Sequence, residues 1–558
     1  MNYLRIIFVI TGTILFCGLK WSYAQDDHKL RAYDILENRG EICFSFKIGL
    51  GEVDSLSDII SIDRFDGKSV TAYANITEFE EFLKTGKYFE IIENHDGAKS
   101  LNMAYSVSEM INWNKYPTYE VYVEMMQKFA NDFPEICSLD TIGYSVQNRV
   151  LLAVKISDNV KEDEVEPKFF YSGQMHGDEL VCGMLFLRLI DHLLNEYGSD
   201  TQITDLVNGL QIYINPISNP DGMYYGGNAD VSKSRRYNAN SIDLNRNFPR
   251  IDGSITIIEP EIQAMIDYAG KHNFLMSANS HSGAEVINYP FDDISTLPAD
   301  VDWWKIVCRE YATNVQENSP YGYFDDLDNG VTNGYAWYSI SGSRQDYMNY
   351  FRNCREVTME LSNSKLVDSD LLPDFWNYNK KAFLDYMQQT TYGLRGIVTD
   401  STTGEPLLAK VLVENHDNLN SHVYSSLLHG DYYRLLFEGN YNITFSSEGY
   451  ESKTFEISVE NYKQQILDVE LNKIETIIEI ASLTELNIFP NPVVDIFNIK
   501  SEDVIQNVII KNIYGKNLKE LFPDRPIVEI NIENLPAGIY LLDIKVKDHI
   551  FKTKILKL

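Results

Sequence analysis

The order of apolar and polar positions divides the chain into successive stretches of different texture. Behind Arg5 an apolar run extends from Ile6 to Phe16, followed by Ser22 and Ala24 in the small-x-small spacing of a signal peptidase site. Residues 1–24 are therefore expected to form a secretory signal peptide. Residues 27–105 mix short alternating stretches (ICFSFKI, SVTAYANI, YFEIIEN) with the helical pattern of TEFEEFLKTG, which predicts a small α/β N-terminal domain ending near the polar HDGAKSLN. From 116 to 392 helices and apolar strands take turns. TYEVYVEMMQKFANDF places Val121, Met125, Met126 and Phe129 on one helical face, and ELVCGMLFLRLIDHLL is apolar all round. LLAVKI, KFFYSG, GLQIYINP and FLMSANSH read as buried strands. That alternation predicts an α/β domain with a mixed, largely parallel sheet flanked by helices, its functional groups gathered at the carboxyl ends of the strands. Residues 393–471 and 486–558 switch to period two with glycine turns. They predict two C-terminal all-β sandwich modules, separated by a short connector rich in Ile and Glu.

Composition narrows the partners. A formal net charge of -33 would repel a phosphate backbone, so nucleic acid is excluded. After the first segment no run of about 18 or more apolar residues occurs, so no transmembrane segment is expected in the mature chain. Six cysteines are present, five after cleavage, at scattered spacings without a CxxC pair. They predict neither a disulfide framework nor a cysteine metal site.

The chemistry concentrates at three strand exits. GQMHGDE follows the strand KFFYSG and sets His176 and Glu179 three residues apart, on one side of a single turn where both reach one cation. SANSHSG ends the next strand at His281. Two histidines and a carboxylate are the donor set of an open zinc site, which keeps a position for water. REVTMELSN ends a further strand at Glu360, placed to move protons. Between these, SIDLNRNFPR crowds Asp243, Asn245, Arg246 and Asn247 between Leu244 and Phe248, as a solvated turn or a ligand clamp would.

HGDE, NPDG (Asn219 to Gly222), RRYNANSIDLNRNFP, SANSHSG, NYPFDD, WYSISGSRQD and EVTMELS occur in the order and approximate spacing of the M14 zinc metallocarboxypeptidases, and over 116–392 the chain most resembles their carboxypeptidase D/E/N branch. The resemblance implies that His176, Glu179 and His281 bind one Zn²⁺. It implies that Arg236 polarises the scissile carbonyl, Asn245 and Arg246 grip the free C-terminal carboxylate of the substrate, Tyr338 closes over it, and Glu360 is the general acid/base. Gln345 aligns with the base of the side-chain pocket, to which Asp292 and Asp293 would add negative potential; basic and apolar C-terminal residues both stay open there. Residues 393–471 resemble the transthyretin-like module of that branch. Residues 486–558, with FPNPVVD and LPAGIYLLDI, resemble the type IX (Por) secretion C-terminal sorting domain, which implies export through the periplasm of a Gram-negative bacterium to the surface or the medium. The expected function is a secreted zinc carboxypeptidase acting on peptide or protein C-termini, with the type IX machinery as partner. The alternatives are a zinc hydrolase of wall peptides or N-acyl amino acids, and an inactive surface binding protein. The N-terminal domain reads as an accessory domain or an inhibitory prodomain.

Overall fold

The computed structural model describes residues 28–49, 51–92, 100–254, 257–474, 486–512, 515–547 and 549–558. The signal peptide expected at 1–24, residues 95–99 of the polar stretch HDGAKSLN, and most of the Ile/Glu-rich connector lie outside them. The chain forms two compact units, one ending at Ile474 and one beginning at Glu475.

At the start of the first unit, the antiparallel strands Ser61–Phe65, Ser69–Ala74, Ile42–Lys47 and Phe89–Ile91 form a four-stranded sheet in that spatial order. The alternation in ICFSFK turns Ile42, Phe44 and Phe46 inward, where they meet Phe79 and Phe82 of the helix Ile76–Lys84. Asn75 starts that helix with a capping box shared with Glu78. Ser61–Phe65 stays at the edge of the sheet, and its outer side meets the rest of the unit.

The central sheet has eight strands, in the order Val331–Asn333, Glu285–Tyr289, Arg355–Leu361, Met276–His281, Lys168–Gly173, Gln211–Asn215, Val150–Ile156, Cys137–Tyr144. The four in the middle run parallel to one another; antiparallel pairings join them to Glu285–Tyr289 on one side and Val150–Ile156 on the other, and Val331–Asn333 runs parallel to Glu285–Tyr289 at the edge. One apolar core packs the helices Tyr119–Asp132, Leu180–Glu196, Val301–Glu317 and Leu372–Gln388 on one face. A second core packs Pro260–His272 and Arg344–Arg352 on the other. Both faces are thus covered, which is why the middle strands read as unbroken apolar runs.

A two-sheet sandwich follows, with Gly393–Asp400 central to one sheet and Lys410–Val413 and Gly439–Ser446 to the other, around Leu394, Val411, Tyr432, Ile443 and Phe445. The second unit is all-β. Among the described residues its six strands are joined through the long strand Ile496–Lys511, which pairs along its first part with Asn487–Phe489 and Arg525–Asn531 and, past a break in register, along its second with Asn517–Leu521 and Gly538–Val546, and both groups feed one buried core. Period two fixes which side chains face the core, here Phe497, Ile499, Val508 and Ile510, without fixing how strands divide into layers. Among the described residues, no helix is long and apolar enough to cross a membrane, and the cysteines 43, 137, 182, 308 and 354 are unpaired.

Candidate active site

The strand Lys168–Gly173 delivers the chain to His176, and the turn that follows is pressed against the turn at Asn219. A Cβ on Gly177 would stand 2.3 Å from the carbonyl carbon of Gly222, so only glycine fits between the two. Glu179 then opens the helix Leu180–Glu196 without capping it, because its carboxylate is turned toward the histidines. His176 Nδ1 lies 2.9 Å from Glu179 Oε1, His281 Nδ1 lies 2.9 Å from Glu179 Oε2, and the two Nδ1 atoms are 3.0 Å apart. All three side chains are buried, and their donor atoms lie within 4.8 Å of one another. Two imidazole nitrogens that close cannot both present lone pairs to each other at low energy, whereas a cation shared with the carboxylate satisfies all three. The donor set fits zinc, and it is backed in the manner of metal sites: His176 Nε2 lies 3.0 Å from Asp243 Oδ1, which fixes the ring from behind.

Electrostatics favour the ligating forms of His281 and Glu179, whereas against burial and Arg236 the carboxylates of Glu179 and Asp243 push the His176 imidazole up. Burial pushes the His281 imidazole down to about 4, so it is neutral at pH 7. Burial opposes the charge on Glu179, yet His176, Lys365 and His281 together hold its carboxyl well below the usual range.

Asp243 explains the crowded segment SIDLNRNFPR. Leu244 and Phe248 are buried in the core around Phe170, Tyr347 and Met348, and anchor it. Asp243 Oδ1 accepts the Asn245 amide N–H at 2.8 Å besides facing His176, and Oδ2 accepts from Arg236 Nε at 3.1 Å and from the Ser61 hydroxyl. One carboxylate therefore orients a histidine, an arginine and the Asn245–Arg246 turn. The sequence singled this residue out without giving it a role; its place before a turn and beside Asn245 was the available signal.

Glu360 sits beside His281 in parallel register, so the two side chains leave adjacent strands on the same face. Burial and the nearby Glu179 push its carboxyl well above the usual range, and its Oε2 finds no partner among the described residues. Arg236, Asn245, Arg246, Tyr338 and Glu360 line one cavity with the three ligands. Gln345 does not: it lies behind Asp292, donating from Nε2 to Asp292 Oδ1 at 2.8 Å, and Asp292 is the acid that meets the cavity. The reason is local. Asp346 accepts the amide N–H groups of Asp292 and Asp293 at 2.8 and 2.9 Å and draws that loop over Gln345. Gly334 leaves room for the Asp292 carboxylate, which a Cβ there would strike.

The edge strand Ser61–Phe65 enters the same cavity. The Ile62 carbonyl accepts from the Tyr338 hydroxyl at 3.3 Å and from Arg246 Nη2 at 3.5 Å. Asp63 Oδ1 pairs with Lys365 Nζ at 2.6 Å and Arg236 Nη1 at 3.4 Å. Glu41 accepts the amide N–H groups of Arg236 and Tyr237, and Tyr73 donates to Asp178. What remains is a cavity of about 40 Å³, room for a few waters, against roughly 300–1,000 Å³ for sites that take small molecules.

Residues 122–382 match the zinc carboxypeptidase family, and residues 487–557 match the secretion system C-terminal sorting domain. Human carboxypeptidase D is 36% identical over 62% of this chain and 26% of its own length. The chain thus spans about a quarter of that relative and of its mouse and rat counterparts. Mouse carboxypeptidase M is 34% identical over 63% of this chain and 82% of its own. Among solved structures, carboxypeptidase A from Helicoverpa armigera aligns with a TM-score of 0.49 at 20% identity, covering 62% of this chain and 98% of that one.

Proposed function

Because the chain belongs to the zinc carboxypeptidase family, we propose that it is a secreted exopeptidase that removes the C-terminal residue of peptides. The observation that carries this reading is the single cavity shared by His176, Glu179, His281, Glu360, Arg236 and Arg246. When bound by His176, Glu179 and His281, zinc supplies Lewis acidity and acidifies water for attack at neutral pH. The Arg246 fork, with Asn245 beside it, holds the terminal carboxylate of the substrate, and that fixed end sets the last peptide bond against Glu360. Glu360 takes the proton of the attacking water and returns it to the leaving amine. Arg236 donates to the oxygen on which charge develops, and Tyr338 closes over the bound end. The sorting domain at 486–558 directs the chain through the type IX system to the cell surface or the medium. One zinc per chain is expected, and its removal by a chelator should abolish release of C-terminal residues.

Asp292 supports a basic residue as the preferred substrate end. Replacing it by Asn should lower kcat/KM for peptides ending in Arg or Lys by at least about 30-fold, as for a buried charge partner truncated, and leave peptides ending in Phe or Leu nearly unchanged. Burial pushes the Asp292 carboxyl up to about 6. The charge that attracts a basic side chain therefore forms as pH rises through 6, and the preference for Arg or Lys over Phe should grow over that interval in the wild type only. A flat ratio from pH 5 to 8 would remove Asp292 from this role.

The N-terminal region is a prodomain that keeps the site closed, on the strength of Ile62 and Asp63 engaging Tyr338, Arg246 and Arg236. Asp63→Lys sets a like charge against Arg236 and Lys365 and should expel the strand, raising peptide hydrolysis by the full chain at least about tenfold. Equal rates for the folded variant and the wild type would leave the region an accessory domain.

A further inference from the structure

Lys365 lies in the loop after the strand Arg355–Leu361, only 1% exposed. Burying an ammonium is costly unless it is paired, and the pairing here is informative. Its Nζ lies 3.0 Å from Glu179 Oε1, 2.6 Å from Asp63 Oδ1 and 3.9 Å from Asp178 Oδ1, with the Tyr73 ring 5.0 Å away. Its backbone holds the same place from the other side, because the Lys365 carbonyl accepts the Leu180 N–H at 3.1 Å. That N–H is one of the unsatisfied donors of the first helical turn, next to Glu179 itself. One residue thus clamps Glu179 twice, at the backbone beside it and at one carboxylate oxygen.

The two oxygens of Glu179 are not equivalent. Each has one imidazole Nδ1 at 2.9 Å, His176 at Oε1 and His281 at Oε2, but Oε1 alone also faces cationic side chains, Lys365 at 3.0 Å and Arg236 at 3.5 Å. Arg236 is already held through Nε by Asp243 and Ser61. It is also the group assigned to the substrate oxygen. The imidazoles cannot serve as donors to Glu179 once their Nδ1 lone pairs are given to a cation. Lys365 is then the one close side-chain donor committed to Oε1 among the described residues.

Resting on the zinc reading of His176, Glu179 and His281, we propose that Lys365 is a positioning residue for the metal: its ammonium ties Oε1 of Glu179, leaving Oε2 as the ligating oxygen and offsetting the charge of the carboxylate. The competing view makes Lys365 only the ion-pair partner that fastens Asp63.

The test uses the full chain with Lys365→Met, Lys365→Arg, and the double variant Asp63→Asn/Lys365→Met, which relieves the carboxylates left facing one another. Zinc affinity is read by competition with a chromophoric chelator, and coordination by the visible spectrum of the cobalt(II)-substituted chain. Lys365→Met and the double variant should bind zinc about 10–100-fold more weakly, as when a group orienting a ligand is removed. Their cobalt spectrum should change as Glu179 becomes free to present both oxygens. Lys365→Arg should restore both readings to within a few-fold of wild type. Wild-type affinity and spectrum in a folded Lys365→Met or double variant would overturn the proposal and assign the lysine to Asp63 alone. A wild-type chain that takes up no zinc would instead sink the site reading on which it rests.

Discussion

Replacing Glu360 by Gln, in the chain opened by Asp63→Lys, should slow release of the terminal residue by about 10²–10⁴-fold, the span of a general acid/base contribution. The substitution keeps shape and volume and removes only the capacity to take and return a proton. Glu360 stands beside His281 on the neighbouring parallel strand without being one of the three converging donors, so zinc content should stay at that of the parent. Its burial matters too: a carboxylate with no hydrogen-bond partner on Oε2 holds no competing contact that must break before a water approaches. A variant with full zinc and undiminished release would move the proton-transfer role to another group in the cavity.

The second large effect concerns stability and lies away from the site. Asp300 is buried where the helix Val301–Glu317 begins. Its Oδ2 accepts from Arg355 at 2.8 Å and Arg434 at 2.9 Å, and its Oδ1 from Arg434 at 2.9 Å, with His416 Nε2 also 2.9 Å away. Arg434 belongs to the sandwich and is completely buried, so this one carboxylate joins the sandwich to the sheet that carries the site. Asp300→Asn preserves the shape, leaves the buried Arg355 guanidinium without its paired carboxylate and leaves the buried Arg434 with Asp417 alone. Loss of one partner of a buried pair costs about 3–5 kcal/mol, and a fall of that size in urea-unfolding free energy at pH 7 is expected. The sign with pH follows from Arg434 and Arg355, which, against burial, hold the Asp300 carboxyl well below its ordinary value. The stabilisation is complete above the unfolded value of about 3.9 and is lost as pH falls below it toward the depressed folded value. The wild type should therefore lose stability on acidification below pH 4 more steeply than Asp300→Asn. Equal acid slopes would mean that the arginines find other partners.

The residues at strand exits were legible because sheet and site share one logic: the apolar run that makes a buried strand also marks its end, and His176, His281 and Glu360 stand at those ends. Leu244 and Phe248 were legible as anchors for the same reason. What escaped the sequence depends on segments far apart in the chain. Asp63 sits in the unremarkable SIDRF, and acquires a role only when that edge strand docks against Arg236 and Lys365. Lys365 reads as an ordinary loop lysine until the fold buries it beside Glu179. That Gln345 lies behind Asp292, which meets the cavity, is not legible from spacing along the chain, because it depends on Asp346 holding the 290–293 loop through two amide N–H groups. Strand direction was likewise out of reach: period and apolarity are the same for the antiparallel flanks, Val150–Ile156 and Glu285–Tyr289, as for the parallel centre.

The most direct measurement offers the wild-type and Asp63→Lys chains two versions of one peptide ending in Arg, one with a free C-terminal carboxylate and one with a C-terminal amide, and follows both by mass spectrometry. Loss of a single residue from the free acid is expected, faster in Asp63→Lys, and none from the amide, which offers Arg246 and Asn245 no carboxylate to hold. Equal cleavage of both peptides, or cleavage of neither by folded, zinc-loaded protein, would contradict the carboxypeptidase reading.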